Sequence, residues 1–382
     1  MINTERLADT FSSLVRIDSI SREEKEVSIV LQKILKALGG EIFIDNAGEK
    51  LGGDTGNLVA KFKGTVDVPP LMLCGHMDTV EPGKGIEPVF DNGIFRSVGD
   101  TILGSDDKSA LAIIIEVMRV LKENNLPHGP IEVVFTICEE VGLLGAKHFD
   151  LSLIDSKMGY ILDATDKEGI FTRAPFASRF KITFNGKAAH SGASPEKGVS
   201  AVVLASRMIA GLTWGRIDHE TTCNVGKITG GVATNIIPEQ AVLLGEVRSH
   251  SKKKLDDVIR DITVTSERVV AEARVTSPDS KLPTVDIQFE EDFPGTNIPE
   301  DHPVVVLAKQ AAARIGMGME SKTTGGGADA NIFFGKGIVC GVLGTGMTDV
   351  HTLHENIALS DMVCSAELLL AIIDLHNKSQ RC

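Results

Sequence analysis

The amino-acid sequence predicts an α/β fold with a mostly parallel sheet, interrupted by a smaller inserted α+β domain. Three observations support this prediction. Short, almost continuous apolar runs alternate with helical patterns in the first part of the chain, half-exposed strands follow from about residue 175, and helical patterning resumes near residue 302. The length of 382 residues accommodates two or three domains, and 42% apolar residues are enough to fill a sizeable core.

Two amphipathic helices are predicted at the start of the sequence. Residues 4–17 carry Leu7, Phe11 and Leu14 at helical spacing, and residues 23–38 repeat the pattern until a Gly-Gly pair at 39–40 ends it. Residues 57–63, with the sequence NLVAKFK, then predict a short strand.

The next part of the chain contains strands that we expect to be buried on both faces. Their apolar runs are almost continuous, which is typical of strands in a parallel sheet covered by helices on both sides. These runs are residues 70–75, 131–138, 158–162 and 338–343. Residues 108–123 predict a helix between the first two runs, so strands and helices alternate as in an α/β domain.

The middle of the chain predicts a separate unit of a different type. Its expected strands are residues 179–184, 221–228, 240–249 and 284–290, and its expected helices are residues 200–212 and 252–273. The resulting order β-α-β-β-α-β is that of a ferredoxin-like unit. Helices at 302–315 and 360–377 return to the first domain. We therefore predict one domain from residues 1–174 and 295–382, and an inserted domain from residues 175–294.

Composition argues against several classes of protein. Lys and Arg total 39 against 52 Asp and Glu, a net charge of −13, which has the wrong sign for neutralising phosphates, so we expect no nucleic-acid partner. We expect no membrane span, because no run of about 18 apolar residues occurs, and no signal peptide, because residues 1–16 lack its apolar stretch. Six cysteines without a CxxC pair predict reduced thiols in a cytoplasmic protein.

Acidic residues and a histidine follow the predicted buried strands. Ligands of open α/β sheets bind at the carboxyl ends of strands, where four segments of this chain would meet. Each residue alone has an ordinary explanation as a loop residue, a helix cap or a solvated charge. As a group they predict a metal site, and its members are His76, Asp78, Asp106, Glu139, Glu140 and Asp163.

The donor types fit a site for two metal ions. Imidazole nitrogens and carboxylate oxygens bind Zn²⁺, and two ions about 3.5–4 Å apart need a carboxylate that bridges them. One further acid must stay off the metals as a general base. Four of these residues plus one more histidine supply the ligands, which leaves Glu139 as the base and Asp78 to orient the imidazole of His76.

Several motifs together resemble those of the dinuclear zinc exopeptidase family, and in particular its tripeptidase T-like branch. The family also includes glutamate carboxypeptidase, aminoacylase and succinyl-diaminopimelate desuccinylase. The motifs occur in the family's order over most of the chain. They are GHMDTV (75–80), GSDDKSALA (104–112), CEEVGLLGA (138–146), ILDA (161–164), GKAAHSGASPEKGVSA (186–201), ATNIIPEQA (233–241), GEVRS (245–249), TGGGADANIF (324–333) and HTLHE (351–355).

The resemblance implies a role for each residue of the metal site. His76 and Asp163 would bind one Zn²⁺, Glu140 and a C-terminal histidine the other, and Asp106 would bridge the two ions. The family has a histidine, three residues and then a glutamate, so His351 with Glu355 fits this pattern and His354 does not. We expect two Zn²⁺ per subunit, with Co²⁺ or Mn²⁺ as alternative working metals.

The resemblance also implies functions in the inserted domain and in a glycine run. His190 would reach the active site of the partner subunit in a homodimer formed through the inserted domain, and would donate a hydrogen bond to the oxyanion. Arg248 would pair with a substrate carboxylate, although it could also be a surface charge of a strand. Asn235 would bind substrate or serve as a turn residue. Gly326 lies in a Gly-Gly-Gly run that permits close approach of the backbone to a ligand.

The function predicted on this basis is hydrolysis of small peptides from the amino-terminal side, as in a tripeptidase or aminopeptidase. A water bridging the two metals would attack the amide, with Glu139 as the general base. An N-acyl-amino-acid deacylase or a carboxypeptidase would use the same metal set with a different pocket. A non-catalytic metal-binding scaffold is the alternative from another class, and retention of five ligands plus the base argues against it.

Overall fold

The computed structural model describes residues 1–379, and within them the chain forms two compact units. The first contains Met1–Arg173 and the described part of Asn297–Cys382, and the second contains Ala174–Thr296. The α-helices of the described residues are α1 (Thr4–Val15), α2 (Lys25–Leu38), α3 (Ala47–Leu51), α4 (Ser105–Glu123), α5 (Leu144–His148), α6 (Ala201–Ala210), α7 (Lys252–Arg274), α8 (Pro303–Arg314), α9 (Asp329–Gly335) and α10 (Leu359–Ser379).

The strands are numbered in the same way along the chain. They are β1 (Glu41–Ile44), β2 (Leu58–Phe62), β3 (Leu71–His76), β4 (Glu87–Asp91), β5 (Ile94–Val98), β6 (Ile131–Thr136), β7 (Met158–Ala164), β8 (Gly169–Ala174), β9 (Phe176–Asn185), β10 (Gly215–Asp218), β11 (Thr221–Gly230), β12 (Gln240–Ser249), β13 (Thr284–Phe293), β14 (Thr296–Asn297), β15 (Glu320–Thr323), β16 (Val339–Gly344), β17 (Met347–Thr348) and β18 (Asn356–Ala358).

The first unit is built on a mixed sheet whose centre is parallel. Its strands follow the order β1-β2-β6-β3-β7-β16-β8-β14, and β15 pairs with β8. The pairs β6–β3, β3–β7 and β7–β16 are parallel, whereas β1–β2 and β2–β6 are antiparallel. Every residue of β3 and β6 is buried, as the continuous apolar runs predict, because helices such as α4 cover the sheet. The predicted α/β class is confirmed.

A second, smaller sheet of the first unit is missing from the sequence prediction. Its strand order is β17-β18-β5-β4, and its pairs are antiparallel. The β4–β5 hairpin has a sequence signal, because Asn92 and Gly93 both adopt positive φ as its two-residue turn requires. The other two strands are two and three residues long, too short for a periodic pattern. They flank the loop that carries His351.

The second unit has the predicted ferredoxin-like arrangement. Its antiparallel sheet follows the order β10-β11-β12-β9-β13, and α6 and α7 pack on one face. On β9 the side chains of Phe180, Ile182 and Phe184 point into this core, while the alternate residues Arg179 and Lys181 are exposed. The short strand β10 is an addition that the sequence did not predict.

The described residues also bear on two predictions from composition. None of the helices within residues 1–379 is long and apolar enough to cross a membrane. The cysteines in this range are free thiols rather than disulfide partners, and they are Cys74, Cys138, Cys223, Cys340 and Cys364. Cys382 lies outside the described residues.

Candidate active site

The imidazole of His76 stands at the carboxyl end of β3 and is almost fully buried, with 2% exposure. Its Nδ1 lies 2.9 Å from the backbone carbonyl oxygen of Asp78. Because a carbonyl oxygen can only accept, Nδ1 carries the proton and donates it there. Nε2 faces the other side, where the Oδ1 of Asp106 is its hydrogen-bond partner at 3.1 Å.

Asp78 approaches His76 with both its backbone and its side chain, and its role in orienting the imidazole stays a prediction. Its Oδ1 is 3.5 Å from Nδ1 of His76, farther than the backbone carbonyl of the same residue. The carboxylate also accepts hydrogen bonds from the backbone amides of Glu139 and Glu140, at 2.9 and 3.2 Å, and from Oγ of Ser21 at 2.6 Å. The Asp78 side chain thus holds the backbone of the two glutamates while its carbonyl and carboxylate both lie near the imidazole of His76.

Asp106 lies between two histidines at the start of α4. Residues 106 and 107 have non-helical backbone angles, so the regular part of α4 begins after them. Its Oδ1 faces Nε2 of His76 and its Oδ2 faces Nε2 of His351, each at 3.1 Å. Burial alone would raise the pKa of Asp106, but the hydrogen bonds with His351 and His76 hold it well below its ordinary value.

His351 and Glu140 form the other side of this cluster. Nε2 of His351 lies 3.0 Å from Oε1 of Glu140. His76, Asp106 and Glu140 each present one ligand atom within 4.8 Å of the others. The neighbouring His354 is exposed, and its backbone amide bonds Oγ1 of Thr352. These contacts favour His351 over His354 as the C-terminal metal ligand. The choice between the two histidines stays a prediction.

Two further predicted site residues are acids with raised pKa values. Asp163, near the end of β7, does not belong to the three-residue group above within residues 1–379. Burial raises the pKa of Asp163 well above its ordinary value, and the charge of Asp106 raises it further. Burial and then the charge of Asp163 likewise raise the pKa of Glu139. Carboxyl groups that raise one another's pKa in a buried site favour binding of a cation.

Two acidic residues of this site were not predicted from the sequence. Asp107 accepts a hydrogen bond from the backbone amide of His76 at 3.1 Å, and Asp329 accepts one from Oγ1 of Thr136 at 2.5 Å. Asp329 also raises the pKa of Glu139. Both residues stand in motifs already noted, GSDD and GGGADAN, where their position beside predicted site residues was the available signal.

The second unit contains three of the predicted site residues. His190 is exposed, and its Nδ1 accepts hydrogen bonds from the amides of Gly192 and Ala193 at 3.2 and 3.1 Å. Its ring proton therefore resides on Nε2, which can donate to a ligand. The exposed Asn235 belongs to the adjacent loop, where its carbonyl accepts from the amide of Ser191.

Arg248, on β12, is engaged in an ion pair. Its Nε and Nη2 contact the two carboxylate oxygens of Glu246 at 3.1 and 3.0 Å, and its guanidinium lies 5.6 Å from the ring centre of Phe293. Residues two apart on a strand face the same side, so the sequence contained the signal for this pair. The proposed pairing with a substrate carboxylate would compete with Glu246 and stays a prediction.

Gly326 lies in the first unit, in the loop that leads to α9. Its amide donates to Oγ1 of Thr324 at 3.0 Å. A Cβ at this position would meet the same Oγ1 at 3.6 Å, an ordinary contact distance. The packing around Gly326 therefore tolerates a side chain, and the expected approach of a ligand to this backbone stays a prediction.

A buried cluster of imidazole and carboxylate groups at the strand ends of an α/β sheet is typical of metal-dependent hydrolases. The profile of Peptidase family M20/M25/M40 matches residues 72–375, and the chain belongs to this family. The chain is thus a peptidase, and the resemblance inferred from its motifs is confirmed.

The chain is similar to peptidases with solved structures. Aminopeptidase PepT from Bacillus cereus ATCC 10987 is 39% identical and covers 98% of this chain and 99% of its own, with a TM-score of 0.91. A tripeptidase from Staphylococcus aureus subsp. aureus Mu50 is 34% identical over 99% and 100% of the two chains, with a TM-score of 0.93. Peptidase T of Vibrio cholerae serotype O1 is 25% identical over 84% of this chain and 85% of its own length.

Proposed function

We propose that this peptidase removes residues from the amino-terminal end of small peptides, as an aminopeptidase or tripeptidase, and uses two divalent metal ions. The observation that carries the proposal is the position of Asp106. Its two carboxylate oxygens face two different histidines, His76 and His351, at the same distance of 3.1 Å. A carboxylate that offers one oxygen to each side is the bridging ligand that a two-metal site needs.

The chemistry of the donors fits two Zn²⁺ ions. His76 and Asp163 would hold one ion, Glu140 and His351 the other, and Asp106 both. This set combines imidazole nitrogens with carboxylate oxygens, which suits zinc and also admits Co²⁺ or Mn²⁺. When bound, such ions supply Lewis acidity and lower the pKa of water.

Glu139 is the proposed general base. It accepts a proton from the attacking water and later delivers this proton to the leaving amine. A raised pKa suits this role, and burial together with the charge of Asp163 supplies it. The hydrogen bond from the Glu139 amide to Asp78 fixes the backbone from which the base extends.

His190 would complete the site from the partner subunit of a homodimer formed through the second unit. Its Nδ1 is held by two backbone amides, so its Nε2–H is the group available to stabilise an oxyanion. Asn235, Arg248 and Gly326 would contact the substrate. The free, unpaired thiols of the described chain agree with a cytoplasmic enzyme.

A substrate panel with metal analysis tests the proposal. Purified protein should hydrolyse di- or tripeptides with a free amino terminus, and should act poorly on N-acetylated versions of the same peptides. Chelation should abolish hydrolysis, and added Zn²⁺ or Co²⁺ should restore it. Preference for N-acyl amino acids would indicate a deacylase, and release from the carboxyl end a carboxypeptidase. Full activity in metal-free protein would refute the two-metal mechanism.

A further inference from the structure

The turn that carries Glu139 is held by buried side chains from three separate parts of the chain. The ladder of β6 ends at Thr136, so the amides that follow need other acceptors. The four consecutive backbone amides of residues 137–140 all donate hydrogen bonds to side-chain oxygens. The acceptors are Asn57 Oδ1 for residue 137, Glu24 Oε1 for residue 138, and the two oxygens of Asp78 for residues 139 and 140.

The carbonyl groups of the same turn are also paired. The carbonyl of Cys138 accepts from the amide of Leu144, and that of Glu139 from the amides of Gly142 and Leu143. Cys138 has a φ of 53°, in the left-handed region where a residue with a side chain is strained. A strained residue beside the base persists only when its surroundings hold it, and its own amide is held by Glu24.

Glu24 is fully buried immediately before α2 and has no established part in the chemistry. Its Oε1 accepts three hydrogen bonds, from the amides of Arg22 and Cys138 at 2.9 and 3.0 Å and from Sγ of Cys138 at 3.4 Å. Among the described residues no partner reaches its Oε2. A single oxygen of this carboxyl therefore carries its contacts with the turn.

We propose that Glu24 is a positioning residue, which fixes the Cys138–Glu139 backbone through Oε1 and thereby places the Glu139 carboxylate for proton transfer. The inference rests on the proposed function in one respect, the assignment of Glu139 as the base. The contacts of Glu24 with the turn require an acceptor oxygen at the position of Oε1, which the amide oxygen of glutamine would also supply. Burial and the neighbouring charge of Asp78 raise the pKa of Glu24 to about 7, which agrees with a role that does not need ionisation.

The test compares two variants at this position with a matched control. Glu24→Gln keeps an acceptor oxygen, and Glu24→Ala removes it. Glu132→Ala is the control, because Glu132 is also a buried glutamate, with 3% exposure. It accepts hydrogen bonds from the backbone amides of Asp155 and Ser156. Its loss costs a comparable set of hydrogen bonds at the opposite end of β6.

Amide hydrogen exchange, measured by mass spectrometry on the full chain with and without added Zn²⁺, reports on the turn directly. In Glu24→Ala we expect exchange in residues 137–143 to accelerate by on the order of tenfold, since a hydrogen bond to a carboxylate acceptor is lost. Glu24→Gln should restore slow exchange. Glu132→Ala should leave this segment unchanged even if it lowers the melting temperature.

The kinetic readout is a fall in kcat with little change in KM. A base displaced by a fraction of an ångström loses roughly 10- to 100-fold in rate, so Glu24→Ala should show such a loss and Glu24→Gln should recover most of it. Unchanged exchange in Glu24→Ala overturns the inference, and so does unchanged kcat in a protein that Glu139→Gln inactivates. If Glu139→Gln stays active while the exchange result holds, the assignment of the base is wrong and the positioning of the turn stands.

Discussion

The carboxylate of Glu355 accepts a hydrogen bond from the backbone amide of Asp106 at 3.0 Å, across 249 positions of the sequence. The same carboxylate also accepts from Oγ of Ser105 and from the amides of Leu103 and Gly104, so that both of its oxygens are used. These donors belong to the start of α4, where unpaired amides favour an anion. Glu355 thus secures the backbone that presents the proposed bridging ligand.

We expect Glu355→Ala to lower the free energy of unfolding by at least about 3 kcal/mol, because several buried donors lose their partner at about 1–3 kcal/mol each. Urea denaturation measures this loss. Glu367→Ala, at an exposed position of α10, should change stability by less than about 0.5 kcal/mol. A Glu355→Ala protein as stable as the control would show that this cap contributes little.

Glu139→Gln and Glu140→Gln should separate a base from a ligand. The first variant should keep both metals and lose roughly 10²- to 10⁴-fold in kcat, which is the usual contribution of general base catalysis. The second should lose metal from one site, because a carboxylate oxygen of Glu140 lies in the cluster with His76 and Asp106. Metal content per chain and steady-state kinetics measure both effects. Equal metal loss in the two variants would contradict the assignment of Glu139 as the base and Glu140 as the ligand.

His351→Ala should weaken the binding of one metal ion, because Nε2 of His351 lies 3.0 Å from Glu140 and 3.1 Å from Asp106. His354→Ala is the matched control three residues away and should leave both ions in place. Competition with a chromophoric chelator measures the two affinities. Loss of metal in His354→Ala and retention in His351→Ala would move the ligand to the other histidine.

A mixture of two inactive variants tests whether His190 serves the partner's site. Glu139→Gln and His190→Ala should each be nearly inactive alone. In a mixed dimer one site receives both lesions and the other receives none. Random assortment makes about half the dimers mixed, so roughly a quarter of wild-type activity should return in a closed two-fold dimer. Persistent inactivity, with mixed dimers demonstrated by mass spectrometry, would show that His190 does not act across subunits.

The pH dependence of stability should change in Glu24→Gln. Glu24 has an ordinary pKa of 4.5, raised in the fold to about 7 by burial and by the charge of Asp78. The folded protein therefore binds this proton more tightly than the unfolded chain. Its contribution to stability is fully present below pH 4.5 and is lost as the pH rises through 7.

Relative to the wild type, Glu24→Gln should thus gain stability with rising pH, by roughly 3 kcal/mol in total, with a plateau above the folded pKa. Urea unfolding at pH values from 5 to about 9 measures the difference between the two proteins. A constant difference across this range would mean that Glu24 does not titrate between these limits.

Sequence reasoning identified the strand ends that carry the site, because His76 and Glu139 each follow a run buried on both faces. Parallel neighbours place such ends on one edge, and the pairing of β3 with β6 does so here. The sequence alone could not assign the contacts that each of these side chains makes. Asp78 illustrates this limit, since whether its carbonyl or its carboxylate reaches His76 depends on the local backbone path.

Other features had weak sequence signals. The strands β17 and β18 are too short for periodicity, and their sheet includes β5, more than 250 residues earlier in the chain. The contact of Arg248 with Glu246 on the same strand face was not considered from the sequence, and the expected pairing of Arg248 with a substrate carboxylate stays a prediction. The sequence contains no indication of the contact between Glu24 and the turn, because the Cys138 amide that donates to Glu24 lies 114 positions away.

The pairing of Asp106 with Glu355 and His351 has a consequence for the order in which the enzyme is made. During synthesis the segments bearing His76, Asp106 and Glu140 emerge first, and the whole second unit follows before residues 351–355 leave the ribosome. A nascent or prematurely ended chain therefore lacks both the cap of α4 and one of the proposed metal ligands. If His351 binds metal as proposed, a chain that stops before residue 351 has no complete metal site, and we expect it to be inactive towards peptides.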